Sequence, residues 1–176
     1  MHIRTTLAAA FACLMLPVLA TAQDAQLKLP SFADLKDKAV KSVDITIGSS
    51  VLGFMGWMMP SDDKDTAELK KTLTGLKSVQ IRSYQFTSDF AYSRADVDAV
   101  RSQLSGPGWS QLIKVHDQHK NEDVDIYIAL DKQTIKGLAI IAANRREFTI
   151  LNIVGAVALE QVAKLRETFG AQGAGM

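Results

Sequence analysis

"GPGWSQLIKVHDQHKNEDVDIYIALDKQTIKGLAIIAANRREFTILNIVG", residues 106–155, is the stretch on which the fold turns. β-Branched and aromatic residues alternate with polar ones through it, which predicts strands over about 111–117, 124–130, 134–143 and 147–154. The connections between them, "QHKNED", "DKQ" and "NRR", are short and polar. Such links force antiparallel neighbours, because a parallel pair needs a long crossover. "GLAIIAA" is apolar on both faces, so that strand is expected to be central and covered, at least in part, on both sides.

Working toward the N-terminus, "YSRADVDAVRSQLSGPGW" carries a strong helix signal. Ser93 caps, Asp96 answers it three residues on, Val97, Val100 and Leu104 face inward, and Gly106 with Pro107 ends the turn. Arg94 and Asp98 can pair on the wet face, for about 0.3 kcal/mol. "KSVQIRSYQF" predicts a strand over about 78–87 and "VDITI", 43–47, another. Asp65 and Glu68 open a helix expected to bury Leu69, Leu73 and Leu76, and Ser31 with Asp34 reads as a capping box for a short helix with Leu35 and Ala39 inward. Residues 34–55 could instead run as one long helix. A last helix is expected over about 159–169, followed by a frayed tail, "GAQGAGM". The order predicts a single α+β domain over 23–176: a mostly antiparallel sheet of about five to six strands, with a C-terminal four-stranded meander, packed with helices.

The first residues, "MHIRTTLAAAFACLMLPVLATAQD", read as a secretory signal peptide: Arg4, an apolar run over 7–20, and a small-x-small site that places cleavage near Ala22. Cleavage removes Cys13, the only cysteine, and Arg4, taking the net charge from +1 to zero. The mature chain is then expected to be periplasmic or otherwise exported, held by its apolar core rather than by disulfides. It has no basic excess for nucleic acid and no later run long enough to span a bilayer.

The segments "IRSYQF", "AYSRADVDAVRSQL", "GPGWSQLIKV", "VDIYIA" and "GLAIIAANRREFTILNIVGAVALEQVAKL" resemble a family of exported bacterial proteins catalogued as domain of unknown function 4252. The resemblance runs from Leu29 to about Leu165. It implies a small bacterial envelope protein and brings no catalytic residues with it.

"SSVLGFMGWMMPSDD", 49–63, is the candidate site. As a helix it is apolar nearly all round, with Gly53 and Gly56 as gaps. Such a helix is either deeply buried or shared with a partner, and a domain of this size has little room to bury it all. Phe54, Trp57, Met58 and Met59 are the candidate contacts with an envelope protein or apolar ligand, methionine and tryptophan being enriched at interfaces. Thioethers can hold Cu(I), but no histidine or further sulfur lies near, so neither a metal nor a cofactor is expected. His116 and His119 fall at a strand end and its turn, where a spacing of three points to opposite faces. Asp123 and Asp125 alternate on one strand face, a pairing that at a strand entrance is usually solvated.

No nucleophile elbow or phosphate-binding glycine loop is present, so no catalytic residue is assigned. Arg82, beside Tyr84 and Phe86, and Asn152, interrupting an apolar strand face, are candidates for polar ligand contacts. The expected function is a noncatalytic binding or assembly module of the envelope. The alternatives are a carrier of a small apolar ligand or lipid, with the methionine helix lining a cavity, and an enzyme whose site gathers Arg82, His116 and Asp123.

Overall fold

The computed structural model describes residues 25–131 and 134–156. The expected signal peptide, the expected last helix over 159–169 and the tail lie outside the described residues. Within them the chain runs α1 (Ala33–Lys38), β1 (Lys41–Gly48), α2 (Ser49–Met58), α3 (Lys64–Gly75), β2 (Leu76–Gln85), α4 (Arg94–Leu104), β3 (Trp109–Asp117), β4 (Glu122–Asp131), β5 (Thr134–Asn144) and β6 (Glu147–Gly155).

All six strands join one antiparallel sheet in the order β1-β2-β6-β5-β4-β3. The last four form the meander that their short links dictate. The β1–β2 hairpin adds to the β6 side, and α4 carries the chain from β2 across to β3. The fold class is therefore α+β, and residues 41–48 are a strand rather than part of a long helix.

Side-chain alternation gives the sheet two apolar faces. On the first, Tyr84, Phe148, Ile150, Ala139 and Ile141 meet Leu27 and Phe32 of the N-terminal segment, Leu35 of α1, and Val97, Val100 and Leu104 of α4. The Phe32 ring stands edge-on to both Tyr84 and Phe148, with centroids 5.9 and 5.8 Å apart, a preferred aromatic arrangement. On the second face Val124, Ile126, Leu138 and Ile140 form a buried cluster ringed by Ile113, Val115, Leu151 and Ile153. β5 supplies both clusters, which explains its two-sided apolar sequence. A bulge between Gln111 and Ile113 resets the phase of β3, so that Ile113 and Val115 reach the second cluster while Leu112 is left exposed.

The capping box on α4 is present: Ser93 Oγ accepts from the Asp96 N–H and the Asp96 carboxylate accepts from the Ser93 N–H. Ser93→Ala is expected to cost about 1 kcal/mol, measured as a lower urea midpoint. Three expectations are corrected. α1 starts from Phe32 in the left-handed region (φ 48°) with no side-chain cap, not from a Ser31–Asp34 box; seating the Phe32 ring between Tyr84 and Phe148 overrides the cap. α3 is capped by Asp63, not Asp65, and buries no residue, Leu69 being 47% exposed. Asp98 lies 3.9 Å from Arg101 instead of pairing with Arg94.

Candidate functional site

Helix α2 leaves β1 at Gly48 and returns through α3 to β2, so the two helices form a hairpin mounted on the β1–β2 strands. At 3.6 residues per turn, Val51, Phe54, Met55, Trp57 and Met58 fall within an arc of about 160°, and Leu52, Gly53 and Gly56 fall opposite. The small-residue side is the one that packs. Leu52 and Gly56 are the buried residues of α2. A Cβ on Gly56 would lie 3.0 Å from Thr74 Cγ2 and 3.4 Å from the Lys70 carbonyl, so the glycine lets α3 pack close without displacing Thr74.

The large side chains face away from that contact. Phe54, Trp57 and Met58 are 57%, 73% and 64% exposed, and Val51 and Met55 are exposed too. Phe54 and Trp57 stack with their ring centroids 6.0 Å apart. Met59 is half-buried, caps the helix in extended conformation, and donates its N–H to the Gly56 carbonyl. The usual amphipathic helix puts its wide apolar stripe toward the core; here that polarity is reversed. No charged residue occurs from Ile45 to Ser61. Polar residues resume at the turn into α3. There the Thr66 N–H, followed by the Thr66 hydroxyl, holds the Asp63 carboxyl below its ordinary range.

The two polar candidates are engaged within the chain. Arg82 pairs with Asp44 at 2.6 Å across the β1–β2 hairpin and donates to the Ile45 and Ile81 carbonyls. Asn152 is buried. Its side chain accepts from the Leu27 N–H at 2.9 Å and donates to the Ala25 and Leu138 carbonyls at 3.1 and 3.2 Å.

The residues of the dispersed-site alternative do not converge. His116 Nδ1 and Asp123 Oδ1 pair in the open, 2.5 Å apart, on β3 and β4. Arg82 on β2 lies three strand positions from Asp123, roughly 14 Å at the usual strand spacing, and four from His116. The Asp117 carboxylate accepts from the His119 and Lys120 N–H groups, so "HDQH" ends in a closed polar turn. Among the described residues no group of three or more histidine, cysteine or acidic side chains is placed to hold a metal ion.

Asp125 differs from its expected solvated state. It is buried and accepts from Arg101 Nε at 2.8 Å, Arg101 Nη2 at 2.5 Å and Gln111 Nε2 at 3.0 Å. The Gln111 amide also reaches the Tyr127 hydroxyl, which burial pushes above its ordinary range, with the Asp125 charge adding to the rise. This network ties α4 to the sheet. Its partners lie far apart in sequence, and no local spacing announces it.

A cleft of about 840 Å³ at one end of the sheet is lined by Trp109, Leu130, Ala129 and Val154, with Lys77, Lys136 and Asp131 around it. No residue of α2 lines it, so the methionine helix does not wall this cavity. Two buried atoms on β2, Ser78 Oγ and Gln80 Oε1, have no hydrogen-bond partner among the described residues. Among the described residues no helix is long and apolar enough to cross a membrane.

A family model described as "Domain of unknown function (DUF4252)" matches residues 34–165, about three quarters of the chain. The match takes in the α2–α3 hairpin, the whole sheet and α4. No curated protein and no solved structure matches the chain.

Proposed function

The chain belongs to the family of domains of unknown function DUF4252, and from that premise we propose that it is an exported, noncatalytic binding or assembly module of the bacterial envelope, with α2 as its contact face. Export is supported by the sequence of the first 22 residues, with its apolar run and small-x-small site. The observation that carries the binding role is the exposure of Phe54, Trp57 and Met58 on one side of a charge-free helix. Single exposed apolar residues need no explanation, but contiguous patches of several hundred Å² mark interaction sites. Five adjacent large side chains, two of them aromatic, make such a patch.

The double variant Trp57→Ser/Met58→Ser is the test. Exposed substitutions change stability by about 0.5 kcal/mol or less, so its circular dichroism and urea midpoint are expected to match the parent. A photo-cross-linker placed at Phe54 in exporting cells is expected to give an adduct, to protein or to lipid, in the parent and none in the variant. A variant that unfolds returns α2 to the core and removes the proposal.

A further inference from the structure

Resting on that contact-face reading, we infer that the occupant of α2 is the surface of a lipid bilayer, entered by one side of the helix. Three observations separate this occupant from a protein groove or a second copy of the chain.

The first is shape. The exposed apolar residues cover an arc of about 160° on one helix, so the surface is a convex ridge. With Phe54 and Trp57 each over half exposed, and a fully buried ring worth 150–250 Å², the apolar area is on the order of 500 Å². A standard interface takes about 800 Å² from each partner. A fluid acyl layer, by contrast, wraps a convex ridge without needing a matching concavity.

The second is charge. Ile45 to Ser61 carries none, so the apolar ridge itself holds no charged side chain for a protein partner to register against. Beyond it Asp62, Asp63, Asp65 and Glu68 are largely offset by Lys64, Lys70 and Lys71. The α2–α3 hairpin has no basic excess, and its attraction to a bilayer is apolar rather than electrostatic.

The third is length and layout. Ten residues rise about 15 Å, half of the roughly 30 Å hydrocarbon core, so α2 enters one leaflet and cannot span. Trp57 sits near the C-terminal end of the helix, just before Pro60, Ser61 and the acidic turn. This matches the preference of tryptophan for the boundary between acyl chains and headgroups.

The test uses the processed chain recovered from exporting cells, because the apolar run over 7–20 would bind lipid by itself. Trp109→Phe leaves Trp57 as the only reporter. With phosphatidylcholine vesicles, Trp57 emission is expected to move to shorter wavelength and to be quenched by bromine on the acyl chains, and the protein should float with the vesicles. Adding anionic lipid should change the partition coefficient by less than about twofold, since juxtamembrane cations are what give such sensitivity. Phe54→Ser and Met58→Ser, each with parental circular dichroism, should weaken partitioning about tenfold or more.

No emission shift and no flotation, or partitioning that appears only with anionic lipid, overturns the inference. Analytical ultracentrifugation separates the two levels. A dimer that Met58→Ser abolishes, without flotation, keeps the contact face and rejects the bilayer. A monomer that neither floats nor cross-links rejects both.

Discussion

Arg101→Met is expected to lower the free energy of unfolding by about 3 kcal/mol, toward the lower end of what breaking a buried ion pair costs. The loss should appear as a fall in the urea midpoint with an unchanged slope. The Asp125 side chain is 3% exposed, whereas Arg101 retains 29%. Removing the guanidinium takes away two of the three donors to the carboxylate among the described residues and leaves Gln111. The partial exposure of Arg101 lets water reach the vacated position, which is why the upper end of the range is not expected. The double variant Arg101→Met/Asp125→Leu should recover most of the loss, because an apolar pair removes the stranded charge as well as the attraction. A cost below about 1 kcal/mol for Arg101→Met would mean that α4 is held by Val97, Val100 and Leu104 alone.

The contrast between this pair and the strands shows what a sequence discloses. β3 to β6 were legible because their signals are local: period-two alternation and links too short for any connection but a hairpin. The Ser93–Asp96 cap was legible for the same reason. Asp125 was not, since its partner sits on α4, 24 residues earlier, and no spacing rule joins a helix to the second strand after it. Composition and charge identified α2 as a helix that a small domain cannot hide, but which of its sides faces inward depends on Gly56. Hydrophobicity alone points the large residues toward the core. The close approach of α3 to the glycine side, eased by the missing Cβ, turns them out. Leu69 was misread by the converse error: helical spacing implies a buried stripe only if something lies against it; Leu69 is 47% exposed, whereas Lys70, Leu73 and Thr74 of α3 lie around Gly56.

Asn152→Leu is expected to cost about 3–5 kcal/mol, from three buried polar groups that each lose a partner at about 1–3 kcal/mol, less the apolar burial gained. The side chain is close to leucine in size, so the loss is one of pairing rather than of volume. Asn152 is fully buried in the middle of β6, and its amide grips the backbone at Ala25 and Leu27 across a sequence separation of more than 120 residues. That grip fastens the extended segment before α1, which lays Leu27 and Phe32 over the first face of the sheet. Freeing the segment therefore uncovers Tyr84 and Phe148 as well as the amide's own partners. Hydrogen exchange at the Leu27 N–H should accelerate further than at the strand amides, because the segment can open without the sheet. A ligand contact at Asn152 would give the opposite pattern: little change in the free protein and a deficit only on binding. An unchanged urea midpoint with slow exchange at Leu27 would favour that reading. The three hydrogen bonds already made by one amide argue that its role is to close the N-terminal segment onto the sheet.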